Sequence, residues 1–253
     1  MKIKLDTNKF LQIKRKGLKL KINHVKRLYL VFALNFFAFS FLFLQGCDEN
    51  NPIINPTLTS RLTIINASPD SPNMEIFING TQVASNFPYL MSTNYKDVLG
   101  DATNRVVINT SSGGARLIDT VVYCEKNKHY TLIAFDSLQD IKPLFLTDDL
   151  TPPGSTNANI RFIHLVPNGV SYDAGASGKS PWFPFYTFGQ ASNFRAVTAG
   201  PYNLQVYLAG TPTVVTNLNN QVLAQGIIYT MIARGFAGAS GTQALGITLF
   251  QNN

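Results

Sequence analysis

The sequence predicts an all-β protein that contains two tandem β-sandwich modules. Three observations lead to this prediction: short runs rich in β-branched and aromatic residues alternate with turn signals, no window keeps a helical period, and the pattern occurs twice. We expect a signal peptide at 1–46, a lipidated cysteine and flexible tether at 47–60, a first module at 61–150, a linker at 151–158 and a second module at 159–253.

Hairpin signals mark the first module. In residues 76–83 (IFINGTQV), Asn79-Gly80 supplies two residues that tolerate positive φ, as a type I′ turn requires. Two further strand pairs are predicted downstream: 106–108 with 117–122, and 130–135 with 144–146.

The pattern then repeats at an offset of 98 or 99 residues. Residues 63–69 (TIINASP) correspond to 161–167 (RFIHLVP), and residues 130–134 (YTLIA) correspond to 229–233 (YTMIA). Each copy has the size and strand rhythm of one immunoglobulin-like β-sandwich. A Pro-Pro-Gly in the junction cannot continue a strand ladder, so a short stiff linker is expected there.

A family resemblance rests on the opening of the first copy. Residues 64–72 (IINASPDSP), followed by 76–80 (IFING), resemble the start of the domain of unknown function 4397. The resemblance implies tandem β-modules, often in secreted or lipid-anchored bacterial proteins, and it implies no established activity. The second copy departs from the pattern between Asn168 and Pro184.

The N-terminal segment resembles a lipoprotein signal. A basic stretch precedes an uncharged apolar run at 28–44, which ends in Leu-Gln-Gly-Cys. The similarity to the lipobox of bacterial lipoproteins implies cleavage after Gly46 and lipidation of Cys47. The alternative is an uncleaved transmembrane helix of the minimum length. Asp48-Glu49 resembles the surface-export signal of lipoproteins in Bacteroidetes-type bacteria.

The charge of the chain changes with processing. The formal net charge is +7, but residues 1–46 hold ten of the 21 basic residues and one acidic residue, Asp6, so the mature chain carries −2. A mildly acidic chain lacks the positive surface that nucleic acids require, so nucleic-acid binding is excluded.

Residues that could support catalysis or metal binding are few in the mature chain. His129 and His164 lie in different copies, and neither is repeated in the other. We expect His129 in a solvated turn, His164 in a structural hydrogen bond, and Cys124 as a buried apolar residue. No cofactor or metal site is predicted.

Two acidic spots remain as candidate acids of a glycan hydrolase or as calcium ligands. They are Asp70 and the pair Asp148-Asp149. The simpler expectation is that Asp70 caps its own turn and that Asp148-Asp149 is a solvated strand end.

An aromatic run at 182–188 supplies the candidate ligand-binding residues, which are Trp182, Phe183, Phe185 and Tyr186. Strict alternation would place Trp182 and Tyr186 on one face of a strand and Phe183 and Phe185 on the other. One set would face the core, and the other could bind a sugar ring or a protein partner.

These observations predict a lipid-anchored cell-envelope protein with a binding or scaffolding role and no enzymatic activity. The expected location is the outer membrane of a Gram-negative bacterium, at the cell surface. The expected partners are the membrane, through the lipid, and a glycan or envelope protein. The first alternative is a carbohydrate-binding accessory lipoprotein that uses the patch around Trp182. The second, from another class, is a glycan hydrolase.

Overall fold

The computed structural model describes residues 59–253, and this part of the chain is built from sixteen β-strands and two short 3-10 turns, at Leu138–Asp140 and Gly241–Gln243. The predicted all-β class is confirmed. The strands are β1 Thr59–Asn66, β2 Met74–Ile78, β3 Thr81–Phe87, β4 Lys96–Leu99, β5 Ala102–Thr110, β6 Arg116–Cys124, β7 His129–Phe135, β8 Lys142–Asp148, β9 Asn157–Leu165, β10 Tyr172–Ala176, β11 Phe183–Tyr186, β12 Arg195–Thr198, β13 Gly200–Leu208, β14 Val214–Leu223, β15 Ile228–Arg234 and β16 Gly246–Gln251.

The strands form four sheets of four strands each. Sheet I has the order β3-β2-β5-β6, sheet II β4-β1-β7-β8, sheet III β12-β9-β15-β16 and sheet IV β11-β10-β13-β14. Sheets I and II make up the first half, and sheets III and IV make up the second. The strand order of the second half is that of the first with every number raised by eight.

The sheets stack in the order I, II, III, IV, with an apolar layer between each neighbouring pair. Ile64 and Leu132 of sheet II pack against sheet I, whereas Ile65 and Ile133 of the same strands pack against sheet III. Sheet III likewise contributes alternate residues to its two layers. The two middle sheets are therefore buried on both faces, which explains why β7 and β15 are almost uninterrupted runs of buried residues.

The predicted hairpins are confirmed. Residues Asn79 and Gly80, with φ of 50° and 82°, join β2 to β3. Strand β5 pairs antiparallel with β6, and β7 with β8. At the centre of each half the pairing is parallel, β1 with β7 and β9 with β15. Each half has eight strands, compared with seven in an immunoglobulin constant domain, so the immunoglobulin-like label stays a prediction.

The predicted signal peptide, the cleavage site at Gly46 and the lipidation site at Cys47 lie outside the described residues. Within residues 59–253, no helix is long and apolar enough to cross a membrane.

Candidate functional site

A buried ion pair joins the two halves. Arg161 lies on β9 and Asp148 at the end of β8, with 2.7 Å between Nη1 and Oδ1, and their side chains are 2% and 0% exposed. Arg161 also donates to the hydroxyls of Thr131 (3.1 Å) and Thr230 (2.9 Å). The Cζ atom of Arg161 lies 4.6 Å from the ring centroid of Phe194. The cation therefore has partners from both halves, as a buried charge requires.

Tyr95 extends this network toward solvent. Its hydroxyl donates to Asp148 Oδ2 over 2.6 Å, and Thr131 donates to the same oxygen over 2.6 Å. The Asn252 amide donates to the Tyr95 hydroxyl over 3.4 Å and accepts from Thr230 over 2.7 Å. Burial raises the pKa of Tyr95 far above its ordinary value, and the Asp148 carboxylate raises it further, so Tyr95 stays a hydrogen-bond donor.

A cleft of about 610 Å³ opens above Tyr95. We call it the Tyr95 cleft. Its lining includes Arg61, Ser92, Asn94, Tyr95 and His129 from the first half, and Phe250, Gln251 and Asn252 from the second. The volume lies within the range of small-ligand sites in proteins.

Several polar groups in the Tyr95 cleft have no partner of their own. Among residues 59–253, no hydrogen bond involves the side-chain amide of Asn94, the ring nitrogens of His129 or the side-chain oxygen of Gln251, although the Gln251 amide nitrogen donates to the carbonyl oxygen of Asn253. The His129 and Tyr95 rings pack edge-to-face, with centroids 5.3 Å apart. Arg61 is paired with Asp97 at 3.3 Å, so its charge is compensated. The cleft thus offers neutral donors and acceptors beside an aromatic ring.

His129 and His164 differ in their surroundings. The solvated turn expected for His129 is wrong, because His129 is the first residue of β7 and lies against Tyr95. Burial, followed by the charge of Arg61, lowers its pKa.

His164 forms the structural hydrogen bonds that were expected. Its Nδ1 accepts from the N–H of Val166 over 3.2 Å, which leaves Nε2 as the donor to the carbonyl oxygen of Val170 at 2.8 Å. The ring is fully buried and stacks on Tyr172 with centroids 4.6 Å apart. Burial lowers the pKa of His164, so the neutral ring is the stable form.

The expectations for the acidic residues need correction. Asp148 is a buried partner of Arg161 and not a solvated strand end. Asp70 accepts from the distant N–H of Leu138 over 2.7 Å and does not cap its own turn. That turn is instead closed by Asn66, whose side chain accepts from the N–H of Ser68 over 3.1 Å. The sequence predicts Asp70 as the cap of this turn, whereas Asn66 provides it.

The structure does not bring Asp70 and Asp148 together. Asp148 pairs with His129 at the start of β7, whereas Asp70 follows the end of the parallel strand β1. Because β7 has seven residues, at about 3.3 Å per residue the two ends lie roughly 20 Å apart. Paired carboxylates of glycosidases stand about 5 to 10 Å apart, so these two residues do not form such a pair.

The aromatic run is divided between core and surface. Phe183 is 4% exposed and Tyr186 lies beside it, and both rings contact Phe162. Trp182 is partly buried and packs edge-to-face on Tyr202, with centroids 5.3 Å apart. Phe185 is 66% exposed. The four candidate residues therefore do not form one continuous exposed platform.

A β-bulge explains this division. Tyr172 pairs with Tyr186 and Ala174 with Phe183, so two residues of β11 face one residue of β10. Phe185 takes a φ of 60° in the bulge. The buried Asp173 carboxylate holds it there by accepting from the N–H of Phe185 over 2.7 Å. The strict alternation expected from sequence fails for this reason.

Cys124 is fully buried and unpaired, as expected for an apolar structural role. Burial raises the pKa of its thiol to about 11. Residues 59–253 contain no cluster of three or more His, Cys, Asp or Glu side chains that could hold a metal ion.

The fold and the cleft define an all-β protein of stacked four-stranded sheets with a cleft between its halves that is lined by both polar and apolar groups. Residues 60–175 match the family model described as Domain of unknown function (DUF4397). The resemblance seen in the sequence is thereby confirmed. None of the curated proteins compared with the chain matches it.

One solved structure with some similarity is the crystal structure of CBMbc (family CBM26) from Eubacterium rectale Amy13K in complex with maltoheptaose. Its sequence is 11% identical, and the match covers 77% of this chain and 97% of that chain, with a TM-score of 0.24. A similarity this low shows neither a shared fold nor a shared ligand.

Proposed function

We propose that this protein is a lipid-anchored binding protein of the bacterial cell envelope, without catalytic activity, and that it binds a neutral glycan in the Tyr95 cleft. The observation that carries the binding role is the group of neutral polar atoms without a hydrogen-bond partner in the described residues, which are the side-chain amide of Asn94, the ring nitrogens of His129 and the side-chain oxygen of Gln251. Sugar hydroxyls both donate and accept hydrogen bonds, and they match amide and imidazole groups that do the same. The Tyr95 ring supplies the apolar surface that a sugar ring also needs.

The rigidity of the site supports the same proposal. The cleft wall of the second half is held by Asn252, which bonds to Tyr95 and Thr230 beside the ion pair of Arg161 and Asp148. A preformed cleft binds without a large loss of conformational entropy.

The anchoring part of the proposal rests on the sequence around Cys47. Proteinase K treatment of intact and lysed cells, with a Cys47→Ala variant, tests it. We expect intact cells to lose the protein and the variant to be released from the membrane. Protection in intact cells would contradict surface exposure, and a membrane-bound Cys47→Ala variant would contradict lipid anchoring and favour an uncleaved helix.

Glycan arrays test the binding part. We expect the protein to bind at least one neutral glycan and the Asn94→Ala and His129→Ala variants to bind roughly tenfold or more weakly, because each removes hydrogen bonds to the ligand. An Asn219→Ala variant is the matched control, since Asn219 is exposed on β14 in sheet IV. Equal binding by all variants would exclude the Tyr95 cleft and would favour the patch around Trp182, the alternative binding surface.

A further inference from the structure

A second cleft lies at the opposite end of β1, and the glycan proposal does not use it. Its volume is about 530 Å³. Asp70 and Tyr89 line it from the first half, and Arg234 and Gln243 line it from the second. We call it the Arg234 cleft. Asp70 belongs to the turn that carries the family resemblance, so the most recognisable motif of the chain opens onto this space.

Arg234 is a partly buried cation without a counter-ion in the described part of the chain. Its Nη1 donates to the carbonyl oxygen of Ala244 over 2.7 Å, and its Nε donates to the hydroxyl of Thr248 over 3.3 Å. None of the ion pairs formed within residues 59–253 includes Arg234. A guanidinium has further N–H donors, and a carboxylate matches their planar geometry.

Tyr89, next to Arg234, provides a second indication of a ligand. Its buried hydroxyl lies within hydrogen-bonding reach of the Arg234 guanidinium, which can only donate, so its own proton has no acceptor among the described residues. Burial raises the pKa of Tyr89 to about 12, although the nearby Arg234 charge opposes this rise. A buried hydroxyl without a partner is destabilising unless something accepts its proton.

Asp70 supplies the opposite charge in the same cleft. One of its carboxylate oxygens accepts from the N–H of Leu138, and the carboxylate is not part of an ion pair within residues 59–253. A phosphate dianion would be repelled by this carboxylate, whereas a ligand with both a carboxylate and an ammonium group complements both charges.

We infer that the Arg234 cleft binds a zwitterion of the α-amino-acid type. The ligand carboxylate pairs with Arg234 and accepts a hydrogen bond from the Tyr89 hydroxyl, and the ligand ammonium group pairs with Asp70. This site is separate from the Tyr95 cleft, so either proposal can fail without the other.

Isothermal titration calorimetry of the mature protein with alanine, in both enantiomers, tests the inference. Propionate lacks the ammonium group and alaninamide lacks the carboxylate, so each isolates one half of the ligand. We expect at least one enantiomer to bind in the millimolar range or tighter, and both analogues to bind roughly tenfold or more weakly. Absence of alanine binding, or equal binding of the analogues, would overturn the inference.

Three variants locate the binding. We expect Arg234→Gln to weaken alanine binding while leaving alaninamide binding unchanged, and Asp70→Asn to weaken alanine binding while leaving propionate binding unchanged. The asparagine can still accept from Leu138, so the turn is preserved. Tyr89→Phe keeps the ring and removes only the hydroxyl, which keeps the test valid if Arg234→Gln unfolds. Arg105→Gln, on sheet I, is the control. Unchanged alanine binding in Tyr89→Phe and Asp70→Asn would contradict the site.

Discussion

The guanidinium of Arg161 and the carboxylate of Asp148 form an ion pair that is almost completely excluded from solvent, and each residue belongs to a different half of the molecule. The pair lies in the layer between sheets II and III, next to the apolar residues Ile133 and Ile163. A buried ion pair in such surroundings keeps its partners only when sheets II and III pack in this one arrangement. The two halves therefore form one body with a fixed geometry at the Tyr95 cleft.

Removing one member of this pair is expected to destabilise the protein strongly. Arg161→Met leaves the Asp148 carboxylate buried without a counter-charge, and breaking such a pair lowers the free energy of unfolding by about 3–5 kcal/mol. Urea unfolding measures this change. Adding Asp148→Asn should recover part of the loss, because the buried charge is then gone.

The control for this experiment is Arg105→Met, which breaks the ion pair of Arg105 and Asp119 on the exposed face of sheet I. We expect it to leave the free energy of unfolding nearly unchanged, since solvent screens exposed pairs. If both substitutions lowered the free energy of unfolding by a similar amount, burial would not be the cause of the effect at Arg161.

His164 is expected to make the stability depend on pH. Its pKa is lowered in the folded protein, so the unfolded chain binds a proton more readily. The stability that the neutral ring contributes is therefore present above the unfolded pKa of about 6.5 and is lost as the pH falls below that value. Urea unfolding at pH values between 7.5 and 5 measures the slope.

The variant His164→Asn should flatten this slope. The equivalent position of the first half is Asn66, whose side chain makes the same hydrogen bond to the N–H two residues on. His129 also has a lowered pKa, so a smaller slope should remain. An unchanged slope in His164→Asn would show that His164 does not control the pH dependence.

In the aromatic run, the loss of stability on mutation should follow how deeply each ring is buried, and not the alternation of odd and even positions. Phe183→Ala removes a buried ring and is expected to lower the free energy of unfolding by about 3–5 kcal/mol. Phe185→Ala removes an exposed ring and should change it by less than about 0.5 kcal/mol. Trp182→Ala should fall between them, because Trp182 is partly buried against Tyr202. Chemical denaturation compares the three, and equal losses for Phe183 and Phe185 would contradict the bulge.

Cys124 should be unreactive in the folded protein. Its thiol is buried and its pKa is raised to about 11, so little thiolate exists at neutral pH. In a Cys47→Ala variant it is the only thiol of the chain. A thiol reagent with a coloured leaving group should then react only after denaturant is added, and rapid reaction of the native variant would contradict the buried placement.

Local features of the fold could be predicted from the sequence. The Asn79-Gly80 turn sets the pairing of Ile78 with Thr81 through its local backbone conformation, and strand pairs joined by short loops need no distant information. The bulge at Phe185 was missed because it depends on Asp173, a buried carboxylate on another strand.

The packing of sheet II on sheet III was also missed, although a signal for it exists. Arg161 is a charged residue within a buried strand, at the position that Thr63 takes in the first copy. Its partner Asp148 could not be assigned, because the pairing is set by how two sheets stack and not by sequence spacing. The polar side chains that line the Tyr95 cleft, such as Asn94 and Gln251, come together for the same reason.

The most direct test of the proposed function is two-dimensional ¹⁵N NMR of the side-chain amides during titration with a glycan selected on the array. Asn94 and Gln251 report from inside the Tyr95 cleft, and Asn219 reports from an exposed position on β14 that is not part of the cleft lining. We predict that the first two signals shift together with one dissociation constant while the signal of Asn219 stays in place. Shifts confined to the backbone amides around Trp182 and Phe185, or no shift with any glycan, would contradict the proposal.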